Sequence, residues 1–224
     1  VMRGDDTEES MVRKIEVATW IGCLQSSHTK FNYLREGWAK LCEEDRLLGV
    51  DITGQCDNPS LSMDWDKMTR FNQVALDTAK VASSALGINY PAAITCGKPS
   101  GNSSQFVDCA SGFHPRYSKY YMRAVRVNSG DPLYDVLKAQ GFPLHKENGE
   151  EEKPDDEVLT WVAQFPVKSP EGCMTRDDED SIQQMERYLG IMRSWCSKMG
   201  HNQSATIYVK DGDWDLVGQW VWDN

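Results

Sequence analysis

Apolar positions recur along this chain in two alternating rhythms, a step of three or four residues and a step of two, and the changes between them mark the elements. Met11, Ile15, Ala18 and Gly22 step by four, three and four, which predicts a helix over about residues 10–27. Residues 49–54 (GVDITG) hold apolar and β-branched positions between glycines and read as a short buried strand, followed by a polar loop at Asn58-Pro59. Met68, Phe71, Ala75, Ala79 and Ala82 then lie on one face of a long helix over residues 64–86, which Gly87 ends. Residues 91–96 form an apolar stretch that reads as a strand. Residues 118–127 (SKYYMRAVRV) read as extended, with Arg123 and Arg126 on opposite faces, and residues 131–140 as a short helix stopped by Gly141.

The second half continues the alternation. Leu159, Trp161, Ala163, Phe165 and Val167 alternate, so that strand buries one face. Thr175 and Asp178 have the spacing of a capping box ahead of Ile182, Met185, Leu189, Met192, Cys196 and Met199, a helical series closed by Gly200. Residues 206–210 (TIYVK) read as a strand, and Asp211 as the cap of a last helix with Trp214, Val217 and Val221 inward. Strands interleaved with helices predict an α/β fold with largely parallel strands.

Composition narrows the function. The 224 residues include 34 acidic against 24 basic ones, a formal charge of -10, which disfavours nucleic acid or an anionic membrane surface as a partner; any anion must be gripped locally. The acid-rich stretch 146–156 reads as a solvated loop or hairpin tip. No apolar run reaches the length of a membrane span, and no signal-peptide pattern opens the chain. Seven scattered cysteines without a Cys-x-x-Cys pair predict free thiols in a reducing, cytoplasmic compartment and no zinc site. Val1 stands where an initiator Met would, and Asn224 follows apolar Trp220-Val221-Trp222, so both ends read as cuts in a longer protein.

The candidate chemistry lies where the strand at 91–96 opens into Lys98-Pro99-Ser100-Gly101-Asn102-Ser103-Ser104. Gly97 and Gly101 let the backbone bend and bring main-chain N–H groups close to a ligand oxygen. Ser100, Ser103, Ser104 and the amide of Asn102 add donors, Lys98 adds a compact positive charge, and a helix starting at Ser103 would aim its free N–H groups at the same anion. The spacing is not that of a Walker P-loop, and a Gly/Ser-rich turn after a strand is also ordinary turn chemistry.

The same residues carry a family resemblance. Lys98-Pro-Ser-Gly-Asn-Ser-Ser-Gln105, Ser111-Gly-Phe-His-Pro-Arg-Tyr117, Tyr120-Tyr-Met-Arg-Ala-Val-Arg126, Phe165-Pro-Val-Lys-Ser-Pro-Glu-Gly172 and Thr206-Ile-Tyr-Val209 occur in this order, and the likeness runs roughly from Glu16 to Trp222. The sequence resembles the adenosylcobalamin-dependent (class II) ribonucleotide reductases, in particular the monomeric type acting on ribonucleoside triphosphates. The resemblance implies a ten-stranded α/β barrel of two half-barrels, of which this chain supplies part of the second. It also implies adenosylcobalamin as radical source, a ribonucleoside triphosphate as substrate and a thioredoxin-like reductant. The family's phosphate loop falls on Pro99, Ser100, Gly101, Asn102 and Ser103, with Lys98 and Ser104 at its margins. The family's radical cysteine belongs to an Asn-Pro-Cys-Gly-Glu motif, whereas Asn58-Pro59 continues with Ser60-Leu61. No radical or redox role is therefore carried onto the seven cysteines. His114, Arg116 and Tyr117 either line the nucleotide or cobalamin side of a pocket or hold a loop by hydrogen bonds, and Arg123 and Arg126 either reach a phosphate or pair with acidic neighbours. Two other readings remain open: a reductase of another radical class on the same barrel, and a noncatalytic nucleotide-binding module.

Overall fold

The computed structural model describes residues 1–224. In chain order its elements are α1 (Glu8–Ser26), α2 (Glu36–Asp45), α3 (Pro59–Ser62), α4 (Trp65–Leu86), β1 (Thr95–Gly97), α5 (Ser103–Phe106), β2 (Tyr120–Asn128), α6 (Pro132–Ala139), β3 (Leu144–Lys146), β4 (Thr160–Lys168), α7 (Ser181–Arg193), β5 (Gly200–Gln203) and α8 (Trp214–Asp223). The chain divides into two compact units, Val1–Tyr117 with Pro170–Asn224, and Ser118–Ser169.

The first unit is built on α1 and α4 packed over a narrow parallel core. Thr7 caps α1 through a reciprocal pair: Ser10 N–H donates to Thr7 Oγ1 and Thr7 N–H to Ser10 Oγ. The buried ridge of α1 is Met11, Ile15, Thr19 and Cys23, a strict step of four, so Ala18 faces outward against the sequence expectation. In α4, Asp64 caps the start, Gly87 (φ 64°) ends the helix, and Met68, Phe71, Ala75, Ala79 and Ala82 are buried as their spacing predicts. Phe71 and Met68 sit with Ile94 and Trp195 at the centre of the core.

The parallel core is smaller than the sequence predicts. β1 begins only at Thr95, pairs in parallel with β5, and is flanked on its other side by a single parallel bridge from Val50 to Thr95. Residues 49–54 are therefore an extended segment held by Val50 N–H to Ile94 O (2.9 Å) and Cys96 N–H to Val50 O (3.0 Å), not a full strand. Residues 206–210 are not a strand either: Thr206 N–H donates to His114 Nε2 and Tyr208 N–H to Gln184 Oε1, so side chains take the places of a ladder partner. The strand comes earlier, at Gly200–Gln203, because α7 stops at Arg193. Trp195 then turns fully inward and donates its indole N–H to Cys96 O at 2.9 Å. The cap of α7 is Asp180 with Gln183; Asp178 instead closes a local turn on the N–H and hydroxyl of Thr175. Asp213, not Asp211, immediately precedes α8, in which no residue is buried.

The second unit is an antiparallel sheet of order β2-β4-β3, which corrects the expectation of largely parallel strands. The alternation read on β4 holds in its first half, where Trp161 and Ala163 are buried with Val127, Tyr134, Leu137 and Val158. Tyr134 of α6 stacks on Trp161 at 5.6 Å between ring centroids. The acid-rich segment after β3 is a turn-rich tip, in which Glu150 accepts the N–H groups of Leu159 and Thr160. Arg126 pairs with Glu147 and Arg123 donates to Tyr121 Oη, so both arginines are engaged inside this unit. The molecule is of mixed α/β class with two small sheets.

Candidate functional site

The chain leaves β1 at Gly97, and residues 98–104 loop out before the single turn α5. Gly97 lies inside the strand, where the missing Cβ makes room for the Gln203 side chain; a Cβ there would overlap Gln203 Oε1. The bend itself falls at Gly101, whose φ of 51° suits glycine. The main-chain N–H groups of Ser100, Gly101 and Asn102 make no hydrogen bond within the protein. Lys98, Pro99, Gly101, Asn102 and Ser103 are exposed, and Ser100 is half-buried. The loop thus presents consecutive unused N–H groups beside two hydroxyls and a lysine, a donor set suited to an anion. α5 has only four residues, so the donors are those of the loop and not of a helix end.

Each hydroxyl has a different task. Ser103 Oγ donates to Ser100 O at 2.6 Å and closes the turn. Ser104 is fully buried, donates to Gly101 O at 3.2 Å and accepts from Gln105, so its hydroxyl shapes the loop from behind. Ser100 Oγ lies 3.0 Å from Thr53 Oγ1 and 3.2 Å from Ser111 Oγ. These contacts tie the loop to the extended segment 49–54 on one side and to the returning chain at 109–116 on the other.

The returning chain is held by buried charge. Arg116 forks onto Asp57 with Nε to Oδ1 at 2.8 Å and Nη2 to Oδ2 at 3.0 Å, both side chains nearly solvent-free, and also reaches Asp108. Asp57 Oδ2 accepts Ala110 N–H (2.9 Å), and Thr53 Oγ1 accepts Gly112 N–H (2.9 Å). Arg187 of α7, paired with Glu179, donates to Phe113 O at 2.6 Å and lies over the Phe113 ring at 3.8 Å. Gly112 (φ 56°) packs directly under the Lys98 carbonyl. A rigid floor is thereby set beneath a loop whose outer N–H groups stay open.

The titratable neighbours are unusual. Burial raises the carboxyl of Asp51 to about 6, against the pull of the Lys98 and Ile52 amides toward the ionised form, and its Oδ1 is buried without a partner. Burial also lowers the pKa of His114, whose Nε2 accepts Thr206 N–H; the neutral ring then donates from Nδ1 to Ser111 O. Cys56, Cys96 and Cys196 are pushed up to about 12, about 11 and about 12 by burial. No disulfide joins any of the seven cysteines, and no cluster of His, Cys, Asp and Glu is arranged to hold a metal ion.

Of the residues singled out in the sequence, 98–104 are brought together as one surface, with Ser104 turned inward. Arg116 and His114 serve as loop anchors, and Tyr117 is covered by the Arg176 guanidinium at 3.8 Å. Asp51, Thr53 and Asp57 were not singled out, and Ser111 and Gly112 stood only within a motif that carries the resemblance, without a site role. The alternation of two polar side chains, Asp51 and Thr53, within an otherwise apolar segment was the available signal for the first two.

No family model matches the chain. The adenosylcobalamin-dependent ribonucleoside-triphosphate reductase of Levilactobacillus brevis is 29% identical over 106 residues, which is 46% of this chain and 13% of that enzyme. The enzymes of the same description from Lactobacillus delbrueckii subsp. bulgaricus and Lactobacillus leichmannii are 31% and 30% identical over 91 residues, 39% of this chain and 11% of theirs. A solved B12-dependent (class II) ribonucleotide reductase superposes with a TM-score of 0.74 at 18% identity, covering 92% of this chain and 32% of the other. No helix is long and apolar enough to cross a membrane. The chain therefore resembles the adenosylcobalamin-dependent ribonucleoside-triphosphate reductases in sequence and, over nine-tenths of its length, a class II ribonucleotide reductase in fold.

Proposed function

We propose that this chain is part of a ribonucleotide reductase acting on ribonucleoside triphosphates, and that residues 98–104 grip the substrate's phosphates. The observation that carries the reading is the run of three main-chain N–H groups at Ser100, Gly101 and Asn102, unused within the protein in a largely exposed loop beside Lys98. An oxyanion takes up such donors with charge-assisted hydrogen bonds. Three of the motifs that carry the family resemblance lie at this loop and just after it, at residues 98–105, 111–117 and 120–126.

In this reading the chain forms part of the second half of the family's ten-stranded barrel, the reductant is thioredoxin-like, and the protein works in the cytoplasm. The donors of the loop fit phosphate and not a corrin ring, so adenosylcobalamin, which supplies the radical in the relatives' class, is assigned to no residue here. None of the seven cysteines receives a redox role. Helices α2 and α8 bury no residue, and Trp38, Leu41, Trp214, Leu216 and Trp222 stand exposed. Apolar faces of this kind suit a segment that packs against further protein.

Replacing Ser100 and Ser103 with alanine in the complete reductase is expected to weaken nucleotide binding about 10-fold or more, since it removes the hydrogen bonds that hold the loop's N–H groups in place, Ser103 Oγ to Ser100 O and Ser100 Oγ with Thr53 and Ser111. The fold stays intact because both side chains are at least partly exposed. Steady-state kinetics on a ribonucleoside triphosphate reads the effect as a raised KM; unchanged KM and kcat would remove the two hydroxyls from the phosphate grip.

A further inference from the structure

Asp51 and Thr53 alternate on the extended segment beside the loop, so both side chains leave the same side of the backbone. Thr53 meets Ser100 at 3.0 Å, and the Asp51 carboxylate lies against the main-chain N–H of Lys98. Asp51 is thus part of the loop's inner wall, yet one of its oxygens is buried with nothing to bond. An ionised carboxylate there opposes an incoming anion. A proton on the unpartnered oxygen removes that charge without moving any group.

The charged and titratable groups around Asp51 are Lys98 at the end of β1, the amino group of Val1, and the thiols of Cys96 in β1 and Cys196 just after α7. The two thiols are pushed to about 11 and about 12 and stay neutral at physiological pH. Lys98 and the Val1 amino group favour the ionised carboxylate, but burial outweighs them and holds the carboxyl at about 6. Asp51 is therefore mostly ionised at neutral pH and close enough to its midpoint to respond to a new charge. An anion in the loop adds a like charge and raises the carboxyl's affinity for a proton further. By linkage, that proton strengthens anion binding by the same factor.

We propose that the loop takes up its anion together with one proton from solvent, held on Asp51, and releases both together. The inference rests on the phosphate reading of residues 98–104 and goes beyond it by naming the residue that makes the grip respond to pH. Asp51 acts here as a positioning residue for charge; it need not touch the ligand.

The test uses inorganic sulfate, whose charge is constant over the range, titrated calorimetrically into the full chain near neutral pH in two buffers of different ionisation enthalpy. The expected result is net proton uptake approaching one per anion. It is accompanied by an apparent affinity that falls about 10-fold or more from about pH 5.5 to about pH 7.5, as the protonated fraction of Asp51 falls. Asp51→Asn is expected to bind sulfate with no uptake and a flat pH profile. Sulfate binding without proton uptake in the wild type overturns the proposal and leaves the phosphate loop standing. Uptake that persists in Asp51→Asn assigns the proton to another group, such as the amino group of Val1 or His114, and also overturns it. Failure of the wild type to bind either sulfate or a ribonucleoside triphosphate overturns the loop reading and this inference together. If Asp51→Asn does not fold, absence of proton uptake in the wild type still overturns the proposal.

Discussion

Replacing Arg116 with methionine is expected to lower the folding free energy by about 3–5 kcal/mol, the cost of leaving a buried partner charge uncompensated. Arg116 and Asp57 are both nearly solvent-free, and their two parallel bonds at 2.8 and 3.0 Å use the guanidinium fork in full. Without it, Asp57 keeps only Ala110 N–H among these partners. The loss should spread to the loop, because the chain at 109–116 is what Ser100 and Lys98 rest on. Lysine is a poor substitute, since an ammonium cannot reproduce the fork. Urea denaturation of the single variants and of Asp57→Asn/Arg116→Met measures this. The double variant should recover part of the loss. A single-variant loss below about 1 kcal/mol would show that the pair contributes little beyond an exposed bridge.

Gly112→Ala is expected to disable the loop more than any change to its own side chains. A Cβ on Gly112 would overlap the carbonyl oxygen of Lys98, and a backbone atom cannot swing aside as a side-chain end does. The position also has φ 56°, which costs a residue with a Cβ about 1 kcal/mol before any overlap. Lys98 must therefore shift, carrying the start of the loop with it. Gly101→Ala supplies the control: its φ is 51°, but no atom lies within 4 Å of the added Cβ. The control should lose about 1 kcal/mol of stability and retain most of its anion affinity. Gly112→Ala should lose at least about 2 kcal/mol and more than about 10-fold in affinity for a ribonucleoside triphosphate. Thermal denaturation and calorimetric titration of the two variants side by side read both effects, and equal behaviour would contradict the close approach of Gly112 to Lys98.

The long helix α4 was legible because a single apolar face, Met68 to Ala82, coincides with a capping Asp64 and a stopping Gly87. The first half of β4 was legible because Trp161 and Ala163 obey a period of two. Residues 206–210 have strand composition, yet their amides bond to His114 and Gln184, partners that no local pattern reveals. The stop of α7 was misplaced for a related reason: Met192, Cys196 and Met199 keep the helical step, but burying Trp195 against Cys96 O turns the chain after Arg193. The loop at 98–104 stood out because glycine, serine and asparagine concentrate there after an apolar strand. Its floor did not, since Asp57 and Arg116 are 59 residues apart and become a pair only in the fold.

The most direct test of the central claim is an amide-resolved NMR titration of the 224-residue chain with a ribonucleoside triphosphate. The expected result is that the N–H signals of Ser100, Gly101 and Asn102 shift together and saturably, with Ser103 following, and that Gly112→Ala abolishes the shifts. Saturable shifts confined to other residues, with those three amides unmoved, would contradict the assignment of the phosphate grip to this loop.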